Sequence, residues 1–537
     1  MNITIPTSIL QETSSENFAF IRSLRRVDPS DLETGTEFPL GSLSDPDVEE
    51  IRAIADRKSA GKFLRVLDAV LAVRQGGEDF KVPSFEAFLP LLSEHLRARA
   101  LDGWVYELCE DGSLLPWAVT GLRRRSDRSD RGDAPYIELI GTAFGAYDKQ
   151  LRVRSKTWNF RPTDVSRRHV AAILEAHGLH VETGALRAAH DEEATRFGEI
   201  LRDGFAKQYR ATGPLHAAGG QVRRNPRDVI GSRVIMDIDP DRVRACPPEV
   251  ESSVFGSPRS PRFLELPRHP IVEVYSLETH EPFWISVAHL TPYVYRPELR
   301  EKLILPQAQR DLLDVLTTDT ELLTGDLVEG KSAGNVILTK GVPGVGKTLT
   351  AEIYAEVCAR PLYSVHAGNL GTTPREVAEA LRGVFQRAKR WGCVLLLDEA
   401  DVFVMTRGRD VVQNAIVAEF LRTMEYFDGL LFMTTNRGDD IDEAILSRCA
   451  AIIHYDPPGP TLLPEVWRVM SGNFEAGLEE GLIAELVALF PQITPRDVKM
   501  LLRLTLRVAR ARGEPLSAEL FRRNAMFRGI NAKVGEK

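Results

Sequence analysis

The stretch Asn335-Val336-Ile337-Leu338-Thr339-Lys340-Gly341-Val342-Pro343-Gly344-Val345-Gly346-Lys347-Thr348-Leu349-Thr350-Ala351-Glu352-Ile353-Tyr354-Ala355-Glu356 decides how this chain is read. It runs from a short apolar strand, through a loop of the pattern G-x-x-x-x-G-K-[ST], into a helix. The order has a physical reason. Glycines let backbone N–H groups curl around a β-phosphate, and the helix N-terminus behind them adds partial positive charge. Lys347 is placed to reach β- and γ-phosphates, and Thr348 to ligate Mg2+ through its hydroxyl. Gly341, Pro343, Gly344, Val345, Gly346, Lys347, Thr348 and Leu349 are therefore the candidate nucleotide-binding residues. A merely decorative glycine-rich turn would need neither the strand before it nor the helix after it.

Further along, Val394-Leu395-Leu396-Leu397-Asp398-Glu399 sets four apolar residues in a row, as in a strand buried on both faces, and ends in two adjacent carboxylates. Asp398 is expected to hold Mg2+ through its water shell, together with Thr348. Glu399 is expected to polarise the attacking water as general base. The plainer alternative, a buried strand followed by an exposed acidic turn, ignores the phosphate loop upstream. A third strand, Leu430-Leu431-Phe432-Met433-Thr434-Thr435, ends in Asn436. An amide at that edge can orient the lytic water, although Asn after a strand is also a good turn residue. The cofactors these residues imply are ATP and Mg2+.

Outward from these motifs, buried-strand and helix patterns alternate from Leu303 onward, which predicts an α/β fold with a parallel sheet. A chain of 537 residues is too long for one core. Its 43% hydrophobic and 27% charged content is that of an ordinary globular protein. No apolar run reaches the roughly 18–20 residues needed to span a bilayer, and no basic segment followed by an apolar one opens the chain. Cys109, Cys246, Cys358, Cys393 and Cys449 are scattered without CxxC spacing, which fits a reducing compartment and supplies no metal site. The expectation is a cytoplasmic protein with no membrane partner. A net charge of −8 counts against a non-specific nucleic-acid binder, without excluding a local basic patch.

Residues 1–84 read as an N-terminal arm, rich in Ser, Asp, Glu and Pro and partly helical where Ile51, Ile54, Phe63, Leu64, Leu67 and Val70 recur at helical spacing. Residues 85–292 read as an α+β domain. Its β-like runs lie at 103–108, 136–140, 233–237 and 270–275, and its helices near 166–176 and 191–209. Arg123 to Arg131, basic but with alternating Asp, reads as a solvated loop. Val250 to Pro261, rich in Ser, Pro and Gly, reads as a linker. Residues 293–457 read as an α/β unit around these motifs and 458–537 as a smaller helical unit.

Taken together, these residues resemble an AAA+ ATPase, with Walker A at 341–348, Walker B at 394–399 and sensor 1 at Asn436. The resemblance extends over roughly Leu303 to Arg528. Asp442-Glu443-Ala444-Ile445-Leu446-Ser447-Arg448 looks like the segment that ends in the arginine finger, which implies that Arg448 stabilises charge on a neighbouring subunit's γ-phosphate; the alternative is a surface arginine in an ion pair. Asp456-Pro457-Pro458-Gly459-Pro460 looks like the hinge to the lid. Within the lid, Thr494-Pro495-Arg496-Asp497 begins a helix, with Thr as cap, Pro at the first position and Asp in the first turn. Val498, Leu501, Leu502, Thr505 and Val508 form its packing face. There Arg496 falls where sensor 2 would contact ATP, or is a plain surface arginine. Asp326-Leu327-Val328-Glu329-Gly330-Lys331 matches the stretch that usually borders the adenine, so Asp326 and Val328 are carried over as base-binding candidates.

The wording is closest to a large, mainly fungal group of AAA ATPases with a poorly characterised N-terminal domain, on the strings 343–352, 397–403 and 434–437. The Arg448 segment is also similar to that of the remodellers that open HORMA-domain proteins. Two departures matter. The stretch Ala367-Gly368-Asn369-Leu370-Gly371-Thr372-Thr373-Pro374, where many protein-threading relatives carry a pore aromatic, has none and leaves Leu370 to face the pore. Ser447-Arg448-Cys449 offers a single arginine where many relatives have two. The resemblance implies a ring, expected to be a homo-hexamer, that remodels a protein or complex chosen by the N-terminal domain. The competing readings are a nucleic-acid-associated AAA+ machine, such as a loader or defence effector, and a switch that uses ATP binding with slow hydrolysis.

Overall fold

The fold is taken from a computed structural model. It describes residues 2–533 apart from 20–34, 40–42, 76–80, 111, 130–131, 148–149, 166, 217–228, 240–242, 244, 258–259, 319–334, 426 and 439.

The C-terminal half is built around a five-stranded sheet: β1 (Asn335–Gly341), β2 (Leu362–His366), β3 (Val394–Asp398), β4 (Leu430–Thr435) and β5 (Ala451–Tyr455), in the order β2-β3-β4-β1-β5. All four pairings are parallel. Parallel strands need helices on both faces, and the apolar runs are therefore buried throughout. One core holds Val336, Leu338, Leu395, Leu397, Leu431 and Met433 under helices α3 (Pro374–Trp391) and α4 (Val411–Met424). The opposite core holds Ile337, Leu396 and Phe432 under α1 (Gln307–Thr318) and α2 (Lys347–Val357). Local signals agree with these elements: Thr373 and Glu376 form a capping box at the start of α3, and Gly392 ends it in the left-handed conformation.

Four helices, α5 (Leu463–Asn473), α6 (Glu480–Leu489), α7 (Pro495–Arg512) and α8 (Ala518–Ala525), close over a separate core containing Trp467, Leu486, Leu501 and Phe521. Thr494 caps α7 through the N–H of Asp497 at 3.2 Å. The buried face of α7 ends on Ala509, with Val508 half-buried at its border.

The N-terminal half is mixed α/β. One antiparallel sheet runs in the order 150–160, 132–147, 114–129, 104–108, 179–181, and a second in the order 282–286, 271–276, 229–236, 208–213, 290–292. Three expectations change here. The loosely held arm is replaced at residues 2–18 by packed structure, while the helical spacing at 48–73 is met by helices Asp45–Arg57 and Gly61–Arg74: Ile3, Ile5, Phe18, Val48, Ile51 and Val70 share a core with Trp117 and Phe160. Their apolar letters are few, but they fall on one side of each element. The supposed linker at 250–261 is a hairpin, Glu249–Ser257 with Ser260–Glu265. Ser252 is interior and donates to Val119 O at 2.6 Å, and Gly256 is required because a Cβ there would stand 2.3 Å from Arg262 N. The basic stretch from Arg123 continues the strand Leu114–Ser129 rather than forming a loop, with Arg123 paired to Glu138 on the neighbouring strand.

The second sheet docks on the C-terminal parallel sheet beside its edge strand β2. Asp237 accepts from Trp391 Nε1 at 2.7 Å and pairs with Arg390 at 3.0 Å. The hydroxyls of Tyr275 and Tyr363 lie 3.4 Å apart, and Arg387 Nη2 donates to Tyr363 at 3.1 Å.

Candidate functional site

The strand order puts the chemistry in one place. β4 lies between β1 and β3, so the loop leaving β1 and the carboxylates ending β3 flank the end of β4. In the loop Gly344 and Gly346 have φ of +87° and +111°, values that favour glycine, and α2 begins at Lys347. Lys347 is buried, at 7% exposure for the residue, and its ammonium faces the loop. It donates to Gly341 O at 2.7 Å, Val342 O at 2.9 Å and Asn436 Oδ1 at 2.9 Å. Burial lowers its pKa; the fields of Asp401 and Asp398 oppose that shift and the field of Arg496 adds to it.

Thr348 Oγ1 donates to Asp398 Oδ1 at 2.8 Å, and Thr434 Oγ1 donates to the same oxygen at 2.6 Å. Thr434 Oγ1 also accepts the Glu399 N–H at 3.0 Å. Glu399 has φ +52°, a strained value for a residue with a side chain, and its carboxylate projects into solvent. There it meets His366 Nε2 at 3.0 Å. Asn436 is set by Asp401, whose Oδ1 accepts both the Asn436 N–H at 3.0 Å and the Thr435 hydroxyl. The residues fit a bound Mg–nucleotide: a threonine hydroxyl and a carboxylate face one another at the start of α2, beside a buried ammonium and a loop whose glycines leave its N–H groups open.

Arg496 reaches the loop through its backbone, donating to Gly344 O at 3.1 Å. Gly344 is also sterically bound to the lid, because a Cβ there would stand 2.9 Å from Arg496 Cβ and 3.1 Å from Thr494 Oγ1. Beside Val345, Gly346 and Leu349 a cavity of about 210 Å³ opens, walled by Leu303, Ile304, Leu305, Pro306, His454 and Met470. It lies between α1, the β5 end, the hinge and the lid. Asp326 and Val328, expected to border the base, lie outside the described residues. Arg448 lies apart: its guanidinium donates to Ala444 O at 3.0 Å and stands 3.8 Å from Glu425. Leu370, expected to face a pore, is buried at 4% exposure in the motor core, drawn in by the apolar surface under α3.

Sequence reasoning missed Thr434, His366, Asp401 and the cavity wall at 302–306. Two hydroxyls ending an apolar strand could have marked Thr434 and Thr435. His366 needed the parallel register, which places it opposite Asp398.

Residues 337–457 match the model of the AAA family, "ATPase family associated with various cellular activities". The chain is 27% identical over 176 residues to "Uncharacterized AAA family ATPase y4kL" of Sinorhizobium fredii (strain NBRC 101917 / NGR234), covering 30% of this chain and 53% of that protein. It is 29% identical over 154 residues to "ATPase family AAA domain-containing protein 3A" of Homo sapiens, covering 27% of this chain and 26% of that protein. The matches therefore span about a quarter to about half the length of these relatives. Among solved structures, the chain matches one in "Structure of E. coli MS115-1 HORMA:CdnC:Trip13 complex" with 18% identity and a TM-score of 0.36, covering 44% of this chain and 94% of that one. The chain thus carries an AAA family ATPase domain, preceded by a mixed α/β region.

Proposed function

We propose that the chain hydrolyses ATP with Mg2+ as a hexameric ring of identical subunits, and that the ring remodels or disassembles a protein or protein complex chosen by the N-terminal half. The observation that carries the reading is the convergence on Asp398: one carboxylate oxygen receives Thr348 from the phosphate loop and Thr434 from the strand that ends in Asn436. Mg2+ bound there would neutralise charge on the β- and γ-phosphate oxygens. The residues of the chain do the rest. Lys347 holds the phosphates, Asn436 orients the water and Glu399 takes its proton.

The ring is supported by Arg448. Its guanidinium is held on the surface by Ala444 O and Glu425, outside the group that converges on Asp398. An arginine placed there acts on phosphate across a subunit boundary. Arg496 completes the site from the lid. The scattered spacing of Cys109, Cys246, Cys358, Cys393 and Cys449, without a CxxC pair, supports a cytoplasmic setting. The strings 343–352, 397–403 and 434–437 support kinship with the mainly fungal AAA group whose N-terminal domain is poorly characterised.

The test is mass by size-exclusion light scattering of Glu399→Gln with and without ATP and Mg2+, beside turnover of Arg448→Ala. A roughly six-fold mass with ATP and a turnover loss of about 10³-fold in Arg448→Ala are expected. A monomer in both conditions removes the ring.

A further inference from the structure

The residue that stands out is Glu356, in the last turn of α2, the helix that begins at the phosphate loop. A carboxylate at a helix C-terminus opposes the helix dipole, and that turn contains no basic residue to offset it. Both of its oxygens are engaged. Oε1 accepts the Tyr293 hydroxyl at 2.6 Å, and Oε2 accepts the backbone N–H of Arg296 at 2.9 Å. Burial and the Glu356 carboxylate raise the Tyr293 pKa, so the phenol keeps the proton it donates.

Tyr293, directly after the strand 290–292, is seated against the second N-terminal sheet. Its N–H donates to Gln208 O at 3.1 Å, the Arg210 guanidinium lies 5.2 Å from its ring centroid, and the Tyr295 ring packs edge-on at 5.0 Å. Beyond Arg296 the chain forms a 3-10 helix, Pro297–Lys302, laid along α2. Arg300 Nε donates to Asp314 of α1 at 3.0 Å, and the same Oδ1 accepts Tyr354 of α2 at 3.0 Å. Lys302 Nζ donates to Asn473 Oδ1 of the lid at 3.1 Å. The next residues, Leu303 to Pro306, wall the cavity beside Val345 and Gly346. One short segment therefore touches the second N-terminal sheet, the C-terminal end of the phosphate-loop helix and the lid, and walls the cavity beside that helix's other end.

We propose that Glu356 is a positioning residue: its clamp on Tyr293 and Arg296 fixes α2 and the cavity wall to the second N-terminal sheet, and so couples nucleotide occupancy to the N-terminal half. The inference rests on the reading of the cavity and loop as the ATP site. Because binding couplings are reciprocal, a partner bound at the N-terminal sheet changes ATP affinity by the same factor as ATP changes the affinity for that partner.

The full chain is compared as wild type, Glu356→Ala, Glu356→Gln and Tyr293→Phe. The measurements are kcat, KM, affinity for a fluorescent ATP analogue, and hydrogen exchange of residues 208–213 and 290–292 with and without ATP. Tyr293→Phe removes one donor without opening a cavity, so it keeps the test valid if Glu356→Ala fails to fold. Expected are a KM and Kd raised about fivefold or more in Tyr293→Phe and Glu356→Ala, kcat within about twofold of wild type, and loss of the ATP-dependent change in exchange. Glu356→Gln, which keeps one acceptor oxygen, should fall between them. Unchanged affinity with the exchange response intact overturns the proposal, and so does a lowered Tm with KM, kcat and response all retained. A wild type that binds ATP but does not turn it over would sink the proposed hydrolysis alone, leaving the clamp to be judged by affinity and exchange.

Discussion

The two halves of this molecule use polar residues in opposite ways. In the motor sheet, Val394 to Leu397 and Leu430 to Met433 are entirely buried, and the polar groups Asp398, Glu399, Thr435 and Asn436 are pushed to the strand ends. In the first N-terminal sheet, the strand Gln150–Phe160 alternates from Val153 onward, with Val153, Ser155, Thr157 and Asn159 outward and Arg154, Trp158 and Phe160 inward. A parallel sheet covered on both faces leaves chemistry one place to go. An antiparallel sheet wet on one face spreads polar groups everywhere, and none of them announces a role.

The strongest way to break that contrast is to remove single side chains at the motor's strand ends. Lys347→Ala should abolish nucleotide binding. Glu399→Gln should keep binding and lower turnover by about 10²–10⁴-fold. Filter binding and phosphate release measure the two separately. Full activity in Lys347→Ala would leave the convergence on Asp398 without a function.

The same contrast explains what the sequence disclosed. The α/β motor, the loop at 341–348 and the carboxylates 398–399 were legible because the pattern and the chemistry coincide on strand ends. Thr434 and His366 were not, because their part depends on which strands are neighbours, and β4 enters between β1 and β3 only in the folded sheet. The cavity wall at Leu303–Pro306 was missed because it precedes any motif and carries no chemical signature of its own. In the N-terminal half the hairpin at 249–265 read as a linker because Ser252 and Gly256 serve close packing rather than flexibility. Leu370 shows the converse error: a family analogy sent outward a residue that the local apolar surface buries.

Acid should separate the halves next. Burial lowers the pKa of His95 and His190 to about 4 each and holds His269 well below its ordinary value, all three in the N-terminal half. The motor's His366 and His454 are exposed. A buried neutral histidine must give up its environment to bind a proton, so the unfolded chain binds more protons between pH 6.5 and 4. Stability of the N-terminal half is therefore full above pH 6.5 and falls as pH drops towards 4, on the order of 3 kcal/mol for each of His95 and His190. Trp104 lies 5.3 Å from His190 and Trp117 lies 4.7 Å from His269, ring to ring, so tryptophan fluorescence reads the transition. Equal acid sensitivity of nucleotide binding and of that fluorescence would erase the distinction.

A smaller effect sharpens the motor side. Gly344→Ala would set a Cβ against Arg496 and Thr494 at φ +87°, with a strain of about 1–3 kcal/mol. That strain should appear as an ATP KM raised about tenfold, because it falls where loop and lid meet. Calorimetry should show an unchanged N-terminal transition.

The seam offers the finest test, since there the two halves share one carboxylate. Asp237 accepts from Trp391 Nε1 at 2.7 Å and pairs with Arg390 at 3.0 Å, and Trp391 is 3% exposed. Asp237→Ala strands a buried donor, which costs about 1–3 kcal/mol. Asp237→Asn retains an acceptor oxygen for Trp391 and loses only the charge facing Arg390. Calorimetry of the alanine variant should show the motor and the second N-terminal sheet melting as separate transitions, while the asparagine variant keeps them nearer together. If both variants split the transition equally, the charge on Arg390 rather than the tryptophan hydrogen bond couples the halves. If neither splits it, the aromatic contacts of Tyr275 with Tyr363 and Trp391 carry the seam.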